Sequence, residues 1–579
     1  MSPASRSRAP ETPPPGPRRR APALALSAAL LGVLASLNAL DNPFVYDDYR
    51  TVLTNPTLRD PGNFLALLLW ERFRPLVNVT YAFDYALWEL EPRGYHLTSL
   101  ALHAVCVVLF FVAARAIFCD RRRLLERRGE AAGKPEPLWL AFAAAALFAV
   151  HPLQSEAVGY VSGRSEVLCG IFFLAAFLGL RSFLVRGGAG RLTAGLLCFV
   201  LALGSKEVGA MLPFVLAIYD FLLLGGPAAE RRRRFLRFHL PFLALISTAG
   251  IVRLSMFFGT EMTRLERPVW QNVMTEWEVV WRYLGLLVLP RGQTIAHPVV
   301  PAASPADAGA WLAGVALVLL VAAAWALRRR EPLLALGIAW FLLLLAPSST
   351  VIPLQELMAE HRVYAASGGF FLALVAVASR LLAGRGRGAR RAAAAALAAG
   401  LVALAAATTT RHRVWSDPVV LWREAAEKKP LSWWAAYGLG EALANAGRFA
   451  EAVPIYRRAV ELRPLHLGTR MNLGISLAQI ERYDEARQAF QGALDIDPRH
   501  VGALNNLGRL SYLTGRPGLA EEYFARVLEV DPRHVRARLN LIEVYRQLGR
   551  PREEIRALCE EVAAIDPEAP GIADCLRRP

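Results

Sequence analysis

Apolar positions in this chain come in long unbroken runs, neither the alternation of a half-buried strand nor the two-faced stripe of a soluble helix. The runs fall at 22–39, 97–118, 138–150, 166–184, 192–204, 207–224, 240–257, 309–327, 332–346, 365–381 and 392–409. A helix needs about 20 residues to cross a bilayer, so the pattern predicts about eleven crossings, with 138–150 and 192–204 the short ones. A further stretch, "EWEVVWRYLGLLVLP" at 276–290, is amphipathic and carries three aromatics. It is expected to lie in the membrane interface and not to span.

After residue 410 the pattern changes. Pro430, Pro464, Pro498 and Pro532 recur every 34 residues, the period of tetratricopeptide repeats. Gly440, Gly447, Ala452, Tyr456 and Ala459 in the first unit are echoed by Gly474, Ala486, Phe490 and Ala493, and by Gly508, Gly515, Ala520 and Phe524. Small residues let paired helices approach, an aromatic fills the gap between units, and Pro ends the second helix. The last unit has Ile542, Glu554 and Leu558 at those positions and reads as a terminal cap. The expected organisation is all-α. A basic tail (1–21) precedes a membrane unit (22–410) and a linker (411–430). Repeats then occupy 431–567, as units 433–466, 467–500, 501–534 and a degenerate 535–567, before a tail at 568–579.

A composition of 54% hydrophobic and 20% charged residues excludes an ordinary soluble enzyme and makes membrane lipid the main solvent. The net charge of +17 does not point to nucleic acid. The basic residues sit in clusters such as "RRRLLERR", "RRRRFLR" and "RGRGARR" between apolar runs and form no basic-aromatic face. Lys and Arg are about four times denser in one alternate set of loops than in the other. That asymmetry predicts a cytoplasmic N-terminus and, with an odd number of spans, repeats on the outer side. The run at 21–40 follows a basic flank but no small-residue cleavage pattern, so it is read as an uncleaved span. Cys106, Cys119, Cys169 and Cys198 lie in or beside apolar runs as small hydrophobes, whereas Cys559 and Cys575 lie outside them and can pair in an oxidising compartment.

With this topology, ionisable residues gather at the outer ends of spans. Asp47 and Asp48 stand in the first outer loop, followed there by Arg72, Arg74, Asp84, Arg93, Tyr95, His96 and His103. His151, Glu156, Arg164 and Glu166 lie in the second, Lys206 and Glu207 in the third, and Glu356, Glu360, His361 and Arg362 in a later one. Ionisable groups near a bilayer are costly and mark a solvated cavity or a site. Carboxylates can take a proton from a hydroxyl or hold a metal, and Arg and Lys can hold a phosphate. A transfer from a lipid-linked phosphate to a hydroxyl needs both, because the leaving phosphate gains charge as its bond breaks. Neighbouring residues on a helix or strand do not aim at one atom, so one of Asp47 and Asp48 is expected to act while the other orients it. "NVT" at Asn78 is read as a chance match to a glycosylation acceptor.

The order "FVYDDYR", "RFRPL", "RGYHLTSLALH", "LFAVHPLQSEAVGYVSGRSEVL", "SKEVG" and "AEHRVY", ending in tandem repeats, resembles the transmembrane and tetratricopeptide-repeat-containing protein O-mannosyltransferases. The resemblance runs from about residue 22 to the end. It implies a GT-C glycosyltransferase fold and a sugar donor carried on polyprenyl or dolichyl phosphate, mannose in the family. It also implies an extracytoplasmic protein acceptor, with the repeats binding it, and Asp47 or Asp48 as the base that activates a Ser or Thr hydroxyl. Asp47 matches the family's first acidic position. Arg74, Lys206 and Arg362 are implied at the donor phosphate, and His151, Glu156, Arg164, Glu207 and Glu360 join the substrate-binding set without individual roles. A divalent cofactor, Mg or Mn, stays open, with Asp47, Asp48, His151 and Glu156 as its ligands. The Ala/Arg/Leu-rich composition points to a bacterial inner membrane. Two alternatives remain: a membrane-anchored repeat scaffold for an envelope complex, and a GT-C enzyme acting on a glycan or lipid.

Overall fold

A computed structural model of the protein describes residues 17–60, 62–70, 74–130, 136–260, 267–349, 353–354 and 356–577. Most of the basic tail, and Arg72, lie outside the described residues. Every regular element among the described residues is helical, as the apolar runs and the repeat period predict. The chain forms two compact units, Met1–Asp417 and Pro418–Pro579.

In the first unit, seven helical segments are long and apolar enough to cross a membrane: Pro92–Arg127, Val161–Arg186, Glu207–Leu224, Ala228–Met256, Ala308–Leu327, Glu360–Leu381 and Arg387–Trp415. An eighth arises if Pro137–Val150 and Pro152–Gly159, bent by 55° at His151, make one broken span. Three shorter apolar helices, Arg20–Ala35, Ala189–Ser205 and Pro332–Leu345, stand where the runs predict spans. Eleven crossings require the broken span and all three of these to cross. Several helices open on proline at their first turn, as at Pro75, Pro92, Pro137 and Pro332, where the missing N–H has no helical partner to lose. The amphipathic segment belongs to the helix Val269–Val288, which is not among the span-like segments.

The centre of the unit is the helix Pro92–Arg127, packed against Pro17–Ala35, Pro137–Val150 and Arg164–Arg186. Small residues permit this closeness. Ala141, Ala144 and Ala145 are wholly buried, and a methyl placed on Gly369 would sit 2.5 Å from the Gly337 carbonyl oxygen. Arg121 pairs with Glu331 and donates to Ser379 Oγ at 3.1 Å, pinning three helices by one buried charge. The helices Leu240–Thr260 and Ala308–Leu327 instead turn Ile251, Leu312 and Val318 outward, as lipid-facing helices do.

The stretch 411–430 is not extended chain. Its first residues prolong the last span to Trp415, with Arg411 and His412 buried, and Pro418–Lys428 forms a helix of the second unit. The repeat helix pairs follow in order from Trp433–Asn445 to Arg552–Ile565. A methyl on Gly440, Gly474 or Gly508 would fall 2.6–2.7 Å from the ring of Tyr456, Phe490 or Phe524 respectively. The 34-residue period is therefore a repeated ring-on-glycine contact. Trp433 packs on His466 and Trp434 on Trp422, ring centroids 4.7 Å apart in both cases, so both tryptophans serve the second unit's own packing. The cap replaces the ring-on-glycine contact by Ile542, Ile555, Val562 and Ile572 around a Cys559–Cys575 disulfide.

Candidate active site

The segment 42–56 is anchored at both sides of the acidic pair. Asn42 donates to the Gly159 carbonyl at 2.7 Å, and Asn55 donates to Asn78 Oδ1 at 2.9 Å. Asn78 is itself buried and donates to the Leu67 carbonyl, so the "NVT" asparagine is a structural residue. Tyr46 adopts φ +53°, a left-handed conformation rare for a residue with a Cβ. That kink sends the adjacent aspartates to different environments. Asp48 turns inward and is wholly buried. Its carboxylate accepts the Val45 N–H at 3.1 Å, the Ser162 N–H at 2.8 Å and the Ser162 hydroxyl at 2.6 Å. Asp47 keeps access to solvent, while its backbone N–H donates to Tyr160 Oη at 3.1 Å.

Burial pushes the Asp48 carboxyl up to about 7 against the pull of its hydrogen bonds. Asp47 opens to water, yet desolvation by the surrounding protein raises its carboxyl above the usual range despite Arg50, His361 and Arg74 in electrostatic reach. Desolvation likewise raises Glu356, against Arg362 and His361.

The second loop meets the acidic pair through Tyr160 and Ser162. His151 ends the helix Pro137–Val150. Its Nδ1 accepts the Leu153 N–H at 3.3 Å and its Nε2 lies 3.2 Å from the Leu287 carbonyl, the pattern of an Nε2–H tautomer. Glu156 accepts from the His361 backbone N–H at 3.2 Å and lies 2.7 Å from His361 Nδ1. Arg164 is fully buried. It pairs with Asp84 at 2.6 Å, donates to the Tyr95 carbonyl at 2.7 Å and to Ser99 Oγ at 3.2 Å, and lies 5.0 Å above the Tyr81 ring. These bonds join helices, so Arg164, expected in the substrate-binding set without an individual role, has its guanidinium engaged within the protein.

Other members divide in the same way. Lys206 forms a buried pair with Glu166. Glu360 is engaged by the Thr294 N–H at 2.9 Å, Gln293 at 2.5 Å and His297 at 2.9 Å. Arg74 and Glu207 are half-exposed and loosely paired at 3.8 Å. Arg362 is buried among Tyr283, Glu356, Glu276 and Glu156, and its Nη1 has no hydrogen-bond partner among the described residues. Asp47 and Arg74 from one loop and His361 and Arg362 from a distant one thus enter one electrostatic neighbourhood. No group of three or more His, Cys, Asp or Glu among the described residues is placed to hold a metal ion. Asp48, His151 and Glu156 already accept the hydrogen bonds described above.

Tetratricopeptide repeat models match residues 433–499, 465–533 and 514–570. The chain is 37% identical over 155 residues to the mouse protein O-mannosyl-transferase TMTC3, covering 24% of this chain and 15% of that protein. It is 27% identical over 285 residues to the Caenorhabditis elegans protein O-mannosyl-transferase F38B6.6, covering 45% and 37%. Over these segments the chain is similar to proteins named as protein O-mannosyl-transferases. Its matched segments span between 15% and 37% of those two relatives' lengths. A crystal structure of MamA protein aligns with 26% of this chain and 81% of its own at 18% identity, with a TM-score of 0.25.

Sequence reasoning missed the residues that sort the acidic pair: Tyr46 with its left-handed backbone, Ser162 with two hydrogen bonds to Asp48, and Tyr160. Tyr160 stacks on Trp415 at 5.7 Å and on Tyr46 at 6.4 Å. All three sit inside the quoted motifs, but uncharged residues beside charged ones carry no signal of their own. Glu276 was hidden differently, as a buried acid on a helix whose aromatics drew the interfacial reading.

Proposed function

We propose that this chain is an integral-membrane GT-C mannosyltransferase that moves a sugar from a polyprenyl- or dolichyl-phosphate donor to Ser or Thr hydroxyls of extracytoplasmic proteins. The observation that carries this reading is the division of labour in "YDDYR". Asp48 is consumed by three hydrogen bonds, while Asp47 faces solvent beside Arg74 and His361. A carboxylate with a raised pKa and water access is suited to general-base work. In the proposed reaction Asp47 takes the hydroxyl proton as the acceptor oxygen bonds to the sugar's anomeric carbon. The anomeric carbon–phosphate oxygen bond breaks, and its electron pair leaves with the phosphate. Arg362, with its unengaged Nη1, and Arg74 at the rim are the cations we assign to the leaving phosphate.

Names of the homologues support the mannosyl group and the protein acceptor, and the repeats suit a tethered binder that raises the acceptor's local concentration. The Cys559–Cys575 disulfide supports an oxidising compartment for the second unit, hence an outer location. We place the enzyme in a bacterial inner membrane with the N-terminus in the cytoplasm. The test is sugar transfer in membranes by Asp47→Asn, whose melting is expected to match wild type. Loss of about 10²–10⁴-fold in turnover supports the role, and wild-type transfer overturns it.

A further inference from the structure

A second polar cluster lies at the other end of the central helix. Pro92–Arg127 has 36 residues and so is about 54 Å long, which puts Arg123 and Arg127 a membrane's width away from Tyr95 and the acidic loop. There a cavity of about 420 Å³ opens between this helix, the end of Arg164–Arg186 and the turn after Leu224. Arg123, Arg127, Arg234, Asp120, Leu184 and Leu224 are among its walls. Neither the acidic loop nor the repeats use any of them.

The charges do not cancel. Asp120 accepts from Arg181 Nε at 2.8 Å and is also approached by Tyr219 and, at 3.3 Å, by Arg123. Arg234 is held by Asp220 at 2.8 Å, Glu230 at 3.2 Å and the Gly225 carbonyl at 2.6 Å, and His239 also leans on Asp220 at 3.0 Å. Four guanidiniums thus stand against three carboxylates, leaving at least one uncompensated positive charge. Its place is identifiable. Arg127 makes only a long 3.5 Å bond to the Leu224 carbonyl among the described residues, and the Arg123 side chain is 61% exposed. The same cavity is also lined by Leu184, Val185, Leu223 and Leu224, and Val185 and Phe221 are exposed as lipid-facing residues are. A cavity at the end of a span that joins free guanidinium donors to leucine and valine side chains matches a molecule with an anionic head and a hydrocarbon body.

We propose that this cavity binds the phosphodiester headgroup of an anionic phospholipid, with Arg123 and Arg127 on the phosphate oxygens and the first acyl carbons against Leu184. The test uses the full chain in detergent and native mass spectrometry with dioleoyl phosphatidylglycerol, dioleoyl phosphatidylcholine or inorganic phosphate. Retention of phosphatidylglycerol over phosphatidylcholine is expected. It should fall about tenfold in Arg123→Ala/Arg127→Ala and in Leu184→Trp, which fills the apolar lining without touching a charge. Arg122→Ala, on the same helix but outside the cavity and paired with Glu126, should retain lipid as wild type does. Equal retention of both lipids, or undiminished retention in the folded variants, overturns the proposal. So does displacement of phosphatidylglycerol by inorganic phosphate, which would make this a site for free anions.

Discussion

The two units of this chain hold their charges in opposite ways. In the membrane unit, the pairs that join distant helices are buried: Arg164 with Asp84, Lys206 with Glu166 and Arg121 with Glu331 are all at most 5% exposed at the side chain. In the repeat unit, pairs such as Arg458–Glu461 and Arg546–Glu543 lie on helix surfaces three residues apart, at 2.9 and 2.7 Å, in water. A desolvated charge must be answered by a partner at close range, whereas a surface pair competes with solvent and contributes little. Order in the repeats comes instead from an uncharged contact copied every 34 residues. The same side-chain types are thus structural pins in one unit and decoration in the other.

Substitutions can break that contrast. The largest effect is expected from Arg164→Met, which leaves the Asp84 carboxylate buried and unpaired. It should cost about 3–5 kcal/mol, read as lost monodisperse protein on heating, and Arg164→Met/Asp84→Asn should recover most of the loss. An unaltered melting curve for the single variant would show that the pair is not a pin. Next comes Gly508→Ala, whose methyl must displace the Phe524 ring. A destabilisation of about 1–3 kcal/mol, localised by hydrogen exchange to residues 501–534, is expected, and silence there would deny the ring-on-glycine account.

A smaller effect concerns the caps. His466, His500 and His534, again 34 residues apart, each accept through Nδ1 from the backbone N–H three residues on, at 3.2, 3.1 and 3.0 Å. Burial, with Arg463 adding, holds the His466 imidazole below its usual pKa. The unfolded chain therefore takes up a proton there before the folded one does, so stability is present above the unfolded value of about 6.5 and declines as pH falls through it. Repeat amides should exchange faster at about pH 5 than at about pH 7, once intrinsic rates are corrected. His466→Asp, which keeps a cap acceptor, should weaken that dependence. The smallest change is expected from Arg458→Ala, whose melting should coincide with wild type. A marked loss would make the surface pairs more than decoration.

What the residues determined unaided follows from period and solvent. Lipid requires long apolar helices because an unpaired backbone polar group has no water to meet, and the run lengths predicted where those helices lie. The repeats were legible because each unit buries the same ring against the same glycine, which forces identical spacing. The acidic pair, the loops and their order were also visible. The tertiary structure alone decided how the charges divide. Arg164 and Lys206 look in sequence like free cations of outer loops, but partners 80 and 40 positions away occupy them, and no local pattern records such pairings. Asp47 and Asp48 are chemically identical neighbours in the chain. Only the left-handed turn at Tyr46 and the distant Ser162 bury one and leave the other in reach of solvent.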